Sequence, residues 1–437
     1  MKIHCIGIGG IGVSALAQYY LAQGHQVSGS DLESSEITDF LKEKDITIII
    51  GNKAENINQH IDLVVYSPAV PANNPELKKA KGLGILLKSY PEALGDLTKQ
   101  YFTIAVAGAH GKSTVTAMIG LMLKKAGLDP TVIVGTKLKE FGGSNFRLGQ
   151  GKYLVIEACE YDGSFLNYQP KIIVVTNVDK EHLDYFKTFA NVKKAFKDFI
   201  LKLPRDGFLV ANKDDKNTPK FTKLNFGVHY YSIRQKEAKR LKLKIPGKHN
   251  VSNAMAALEV ARILHIEEKV ALQSLSEYQG SWRRFETVKT RPFTVISDYG
   301  HHPNEISATL KATREKYLYP PKFSKGKIRR ARKKIWLIFQ PHQYQRTHYL
   351  FNDFVKVFRQ AKIDQIIITD IYDVAGREEK KISSSVNSEK LVKKIAKKNI
   401  KYMPIEKAEE FVKNNIKSEE VLLIMGAGNI YKLAEKF

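Results

Sequence analysis

Two glycine loops and two acidic clusters hold most of the chemistry this sequence could do. The stronger loop is TIAVAGAHGKST, where an apolar, strand-like run passes through Gly108, Ala109, His110, Gly111, Lys112, Ser113 and Thr114 into a helix-like segment. Glycines at 108 and 111 free the backbone so that its N–H groups can surround phosphates. Lys112 would reach the β- and γ-phosphates, and the Ser113 hydroxyl would ligate Mg²⁺. Val106 stands where the first glycine of the usual P-loop belongs. The pattern predicts an ATP or GTP site. The second loop is Gly7-x-Gly9-Gly10-Ile11-Gly12, again between a strand and a helix, with Asp31 ending the next strand. Such a turn can approach a diphosphate while the acid accepts a ribose hydroxyl. On this motif alone a nicotinamide cofactor, a UDP-sugar and a purely structural turn stay open.

Further along, YLVIEACEYDGSF ends a strand with Glu157, Glu160 and Asp162, and TNVDKEHLDYF follows the next one with Asp179, Glu181, His182 and Asp184. The carboxyl ends of neighbouring parallel strands open on one crevice, so these groups are expected beside the phosphate loop. Carboxylate oxygens suit Mg²⁺, and imidazole is a feasible further ligand.

Strand and helix alternate along the chain, which predicts α/β layers around largely parallel sheets in three sections. IHCIGIG, QVSGSD, ITIII and DLVVYSP are the strands of the first, closed by a helix over 91–99. TIAVAG, TVIVG, YLVIEAC, KIIVVTNV and DGFLVAN belong to the second. Its helix carries Phe189, Val192, Phe196, Phe199, Ile200 and Leu203 on one face as core, and a further helix covers 250–264. TVISDYG, KIWLIFQ, QIIITD and VLLIMGAG form the third. The expected domains are 1–98, 99–288 and 289–437.

Apolar residues make up 43% and charged residues 26%, the balance of a globular chain rather than a disordered one. No apolar run reaches the roughly 18–20 residues that span a bilayer, so no membrane insertion is expected. MKIHCIGIGG has no export-signal pattern, and Cys5 and Cys159 are too few for a disulfide framework; a cytoplasmic location is the expectation. The net charge of +25 is spread over the chain, except for a cluster over 322–334, KFSKGKIRRARKK. That cluster reads as a solvated loop, with contact to RNA or acidic lipid as the sharper alternative. A nucleic-acid partner is not the main expectation.

GAHGKST, EACEYDGSFL, TNVDKEHLD, GKHNVSNAMAA, WRRFE, DYGHHPNEI, FQPHQYQRT and MGAGNI occur in the order found in the Mur ligases of peptidoglycan synthesis, which the chain resembles from about residue 5 to 435. The resemblance implies an N-terminal Rossmann-like domain, a central P-loop ATPase domain and a C-terminal Rossmann-like domain. It implies ligation of L-alanine to the carboxylate of UDP-N-acetylmuramate through an acyl phosphate, with ATP and Mg²⁺; the alternatives are the branch that reattaches a recycled tripeptide and an ATP-binding homologue with altered amino-acid specificity or no activity. It assigns Gly9, Gly10, Ile11, Gly12, Asp31, Ser67, Asn145 and Tyr299 to the UDP-sugar. Ser113, Glu157 and His182 match the metal-holding positions, and His249, Asn250, Asn253, Arg284 and Asp298 match nucleotide contacts. Lys112, His301 and Arg346 match catalytic positions, His301 as general base or substrate hydrogen-bond donor. Because nucleotide contacts are assigned to two domains, closure of the third domain is expected to gate the reaction. Monomer and homodimer are both open. Four departures stand out: Gln343 replaces an arginine of FQPHQYQRT, Ala109 a threonine, Tyr90 an arginine and Ser297 an acid.

Overall fold

The computed structural model describes residues 1–218, 225–317, 333–373, 382 and 384–437. Of the basic run 322–334, only Lys333 and Lys334 fall within the described residues. Two compact units form. One comprises residues 1–181, 188–242 and 252–277; the other comprises 182–187, 243–251 and 278–437.

The first unit contains two sheets. β1 (Lys2–Ile6), β2 (Gln26–Asp31), β3 (Thr47–Ile50), β4 (Leu63–Tyr66) and β5 (Leu86–Ser89) are all parallel, in the order β3-β2-β1-β4-β5. The second sheet has β6 (Phe102–Ala107), β7 (Thr131–Leu138), β8 (Ser144–Arg147), β9 (Tyr153–Glu157), β10 (Ile172–Val175), β11 (Phe208–Asn212) and β12 (Gly227–Tyr231). Their order is β12-β11-β10-β6-β9-β7-β8, and only the β7–β8 pair is antiparallel. Central strands such as β10, IIVV, are buried throughout, as expected where helices cover both faces.

The two sheets of this unit are joined through polar side chains. Helix Ile11–Ala22 packs on β7 and β8. Gln18 is 8% exposed, donates to Asn145 Oδ1 (2.9 Å) and accepts from Ser144 Oγ (2.8 Å). Asn145 in turn donates to the Ile11 carbonyl and to Ser14 Oγ. The expected three sheets are thus present, but two of them share one compact unit.

The second unit holds β13 (Glu286–Lys289), β14 (Thr294–Asp298), β15 (Ile335–Phe339), β16 (Gln365–Ile368), β17 (Ile400–Tyr402) and β18 (Val421–Met425), in the order β13-β14-β18-β15-β16-β17. All pairs are parallel except β13–β14. Side chains alternate between two cores, Ile296, Leu337 and Leu423 on one face and Val295, Trp336 and Leu422 on the other. The division expected at 98/99 falls at the end of helix Tyr90–Thr98, and that at 288/289 falls inside β13. Among the described residues no helix is long and apolar enough to cross a membrane.

The Gln18 network generates a stability prediction. Gln18→Ala removes the acceptor of the Ser144 hydroxyl, which keeps only the bond it accepts from Phe146 N, and the donor to Asn145 Oδ1, which costs about 2 kcal/mol. A urea melt of the variant should show a lower midpoint with an unchanged slope.

Candidate active site

In the first unit, parallel pairing brings three strand ends together. β6 is the central partner: Val106 lies opposite Glu157 of β9 and Val174 of β10, and Ala107 opposite Val175. The chain leaves β6 through Gly108 (φ 138°) and Gly111 (φ 85°), left-handed positions that disfavour any side chain. A Cβ on Gly111 would also sit 2.5 Å from Asn253 Oδ1. The loop then enters helix Lys112–Lys125, whose first N–H groups have no partner within the helix and can bind an anion.

The loop is fastened to the segment after β10. Ala109 N donates to the Asn177 carbonyl (3.0 Å) and His110 N to Asn177 Oδ1 (3.0 Å). The His110 carbonyl accepts from Thr176 Oγ1 (2.6 Å) and Asn177 Nδ2 (3.0 Å), and its ring lies 3.2 Å from Asp179 Oδ2. Sequence reasoning named His110 but overlooked Thr176 and Asn177, although both stand in the TNVD string that had been read for metal ligands.

Ser113 Oγ donates to Glu157 Oε2 (2.8 Å), which also accepts from Gly135 N (2.9 Å). Gly135 leaves room for this carboxylate, because a Cβ there would meet Oε2 at 2.5 Å. A hydroxyl and a carboxylate side by side at a phosphate loop are hard-oxygen donors of the kind Mg²⁺ prefers. Lys112 turns back on its own loop, with Nζ 2.6 Å from the Gly108 carbonyl and 3.0 Å from Glu160 Oε2. Burial alone would lower its pKa, but Glu160 and Glu157 outweigh that and hold it above the ordinary lysine range. Glu160, 1% exposed, is a counter-ion that sequence reasoning saw only as one of several acids. Burial pushes the Cys159 thiol up to about 12, so it stays neutral beside this pair. Thr114 is buried on the same helix.

The other glycine loop is shaped largely by its neighbours. Gly7 N and Ile8 N donate to the Ser30 carbonyl, and Gly9 N donates to Asp31 Oδ2 (2.8 Å). The Asp31 carboxylate also accepts from Leu32 N (2.8 Å), so it braces the turn in addition to any ribose contact. Gly10 N bonds the Gly7 carbonyl and Ser67 N the Ile6 carbonyl, closing the loop against β4. Gly12 admits the Tyr90 ring, which a Cβ would meet at 2.7 Å. Asn145, assigned to the sugar, spends its amide on Ile11, Ser14 and Gln18.

The second unit carries a cationic cluster on the WRRFE segment. Arg283 is 6% exposed and donates to the carbonyls of Gly426 (2.5 Å) and Gly428 (2.8 Å). Its guanidinium lies over the rings of Tyr299 (4.7 Å) and Tyr431 (4.5 Å). Arg284 also lies over the Tyr299 ring (4.7 Å). Sequence reasoning placed the nucleotide contact on Arg284 and overlooked Arg283 as the buried member of the pair.

Asp298 accepts from Phe285 N (2.9 Å), Gly300 N (3.0 Å) and Thr309 Oγ1 (3.1 Å), while burial raises its pKa. His301 Nδ1 lies 3.1 Å from the Tyr299 carbonyl and 3.5 Å from Glu305 Oε2. An Nδ1–H donated to that carbonyl leaves the basic lone pair on Nε2. The His301 and His342 rings are 5.8 Å apart, and Arg346 Nη1 lies 3.1 Å from His342 Nδ1. Gln343 (φ 68°) precedes helix Tyr344–Tyr349, whose Thr347 bonds its carbonyl. Asn250 donates to the Pro246 carbonyl (2.7 Å). His182 (φ 55°) starts the short helix Leu183–Phe186 and belongs to this unit, whereas Ser113 and Glu157 belong to the other. The side chain of Asp184 lies outside the described residues.

A strand–glycine loop–helix with a largely enclosed lysine, and a hydroxyl–carboxylate pair beside it, define a P-loop nucleoside-triphosphate site. The Mur ligase family catalytic domain matches residues 2–102, the Mur ligase middle domain 106–261 and the Mur ligase glutamate ligase domain 283–428. The UDP-N-acetylmuramate–L-alanine ligase of Caldanaerobacter subterraneus is 42% identical, covering 100% of this chain and 97% of its own. That of Alkaliphilus metalliredigens is 40% identical, covering 99% and 96%. Among solved structures, UDP-N-acetylmuramate-alanine ligase from Thermotoga maritima superposes with a TM-score of 0.81 at 28% identity, covering 100% of this chain and 98% of that one. A murein peptide ligase from Psychrobacter arcticus shares the fold, with a TM-score of 0.73 at 21% identity and coverage of 100% and 98%. The chain belongs to the Mur ligase family, and it is an ATP-dependent ligase that forms an amide bond.

His249 gives the second unit a pH signature. It packs on Gly247, and burial lowers its pKa to about 4 although Glu305 pulls the other way. Between about 4 and the ordinary 6.5, the unfolded chain binds a proton that the folded chain refuses. Stability should therefore fall by about 3 kcal/mol as pH drops through that window. Urea midpoints at the two ends of the window should differ less in His249→Asn than in the parent chain. In the first unit, Gly111→Ala should weaken ATP binding at least tenfold by calorimetry while the circular dichroism spectrum is retained.

Proposed function

We infer that this chain joins L-alanine to the carboxylate of UDP-N-acetylmuramate, with ATP cleaved to ADP and phosphate, as a cytoplasmic step of peptidoglycan precursor synthesis. The observation that carries this reading is likeness over the whole chain, about 40% identity to relatives that bear this one name. Lys112, Ser113 and Glu157 support it, since a lysine, a hydroxyl and a carboxylate at one glycine loop are the groups phosphoryl transfer uses.

A carboxylate and an amine do not condense in water without activation. The muramate carboxylate attacks the γ-phosphorus, the β–γ bridging bond breaks to release ADP, and an acyl phosphate forms. The amine of L-alanine then attacks the acyl carbon, phosphate leaves, and the amine's proton passes to a base. The first step is mainly positioning and charge neutralisation. Lys112 supplies a fixed cation to the transferring phosphoryl group, and the N–H groups of the glycine loop orient it. Ser113 and Glu157, with His182, would hold Mg²⁺, which when bound neutralises charge on the phosphates. Arg284 and Asp298 are assigned to the nucleotide, with His249, Asn250 and Asn253 at its base. Gly9, Gly10, Ile11, Gly12, Asp31, Ser67, Asn145 and Tyr299 are assigned to the UDP-sugar. His301 is the candidate base, and Arg346 the cation for the incoming carboxylate. Proposed domain limits are 1–98, 99–288 and 289–437.

A second reading concerns the amino acid. Gln343 offers a neutral amide where an arginine would give a charge-assisted, two-pronged contact to a carboxylate. The test is phosphate release from ATP and UDP-N-acetylmuramate with each L-amino acid in turn. Release that needs the sugar and is greatest with L-alanine supports the first reading. A preference for glycine or serine moves the specificity, and release only with a tripeptide replaces the alanine reading; ATP turnover without sugar or amine overturns the ligase. Gln343→Arg should lower the KM for L-alanine about tenfold with kcat little changed, the value of one charge-assisted contact.

A further inference from the structure

In the second unit the helices Phe351–Gln360 and Ser388–Ile395 each follow one strand and precede the next of a parallel sheet. Such helices run antiparallel to their strands, so both end beside the amino ends of β16 and β17. Asp298, Gln340 and Gln343 lie at or beyond the opposite, carboxyl ends of this sheet. A strand of five residues puts roughly 13 Å between the two ends.

The two helix ends are laced together. Arg359 Nε donates to the Ile395 carbonyl (3.2 Å) and its Nη2 to that of Lys394 (2.6 Å). Lys397 Nζ reaches the Ala361 carbonyl (3.4 Å), and Asn399 Nδ2 donates to that of Ile363 (2.8 Å). This lacing sets Lys356, Arg359 and Lys362 beside Lys393, Lys394, Lys397 and Lys398 on one surface. All are exposed except Lys397, which is half-buried. None forms an ion pair among the described residues.

Acids are sparse here. Neither 354–363 nor 390–405 contains one. Asp364 uses its carboxylate to accept from Ile335 N (2.9 Å). Glu419 pairs with Lys333 (3.1 Å), and Glu315 stands between Arg314 and Lys316 on the last turn of helix Pro303–Tyr317. One cation per helix end would satisfy the helix dipole; seven exceed that need and repel one another.

We propose that this face adsorbs to an anionic lipid surface. Six of the seven cations are lysines, compact point charges rather than the planar forks that bind phosphate bidentately. The rings of Phe354 and Phe358 are buried in the core, and among the described residues these two helices present no exposed ring for stacking nucleic-acid bases. Exposed lysines on packed helix ends suit a planar field of negative charge, without insertion. The sheet edge carrying Asp298 and Gln343 faces away from that surface.

The full chain would be sedimented with vesicles of phosphatidylcholine alone and of phosphatidylcholine with phosphatidylglycerol. Binding is expected only to the anionic vesicles, lost as salt shortens the Debye length below its roughly 10 Å at 0.1 M. Changing Lys393, Lys394, Lys397 and Lys398 together to Gln should weaken binding about fivefold per charge removed. Changing the same four to Arg should preserve it, and phosphate release in vesicle-free solution should be the same for all three proteins. Failure to sediment with anionic vesicles overturns the proposal, as does equal sedimentation of the Gln variant. Single-stranded RNA that binds more tightly than the vesicles and displaces them would make nucleic acid the partner instead.

Discussion

The candidate ATP site depends on the parallel register of β6 between β9 and β10. With Val106 opposite Glu157 and Ala107 opposite Val175, three chain segments leave the sheet within reach of one another. One becomes the glycine loop, one supplies Glu157 and Glu160, and one supplies Thr176 and Asn177. A one-residue slip would turn Glu157 to the other face of the sheet and separate the hydroxyl–carboxylate pair. Apolar runs covered on both faces fix that register, so the hydrophobic core sets the position of every polar group in the loop.

In each unit a cation held largely out of water is given several partners. Lys112 has two carbonyls and a carboxylate; Arg283 has two carbonyls and two aromatic faces. An ion left alone in such surroundings would cost several kcal/mol. These partners also hold each cation in one place.

The interior of the fold was legible in the sequence, and its rims were not. Central strands announced themselves as apolar runs. The strands overlooked are β5, β8, β12, β13 and β17, each short and at the edge of a sheet; all but β8 are partly exposed, and β8 buries the polar Ser144 and Asn145, so neither hydrophobicity nor alternation marks them. Lys112 and Ser113 stand out by type and spacing, which phosphate chemistry dictates, whereas Glu157 is one of several acids in its string and only the family resemblance picks it out. Arg283 was not legible, since nothing in WRRFE tells the arginine that turns inward from the one that turns outward. Gly12 reads as part of a diphosphate motif, and Gly29 is simply one residue of the strand QVSGSD. In the structure, Gly12 makes room for the Tyr90 ring, and Gly29 for Ile8 and the Cys5 carbonyl. A contact across dozens of residues leaves no local signal.

The Lys112–Glu160 pair changes what nucleotide entry means. The lysine does not wait as an unsatisfied cation, so a phosphate must displace a carboxylate rather than fill a gap. Entry becomes an exchange of counter-ions, in which one attraction is given up as another forms. Added salt weakens both states alike, so the ionic-strength dependence contributed by this lysine is the small difference between two large terms. The loop can therefore discriminate in favour of a group bearing more negative charge than a carboxylate, while a singly charged anion gains little by entering.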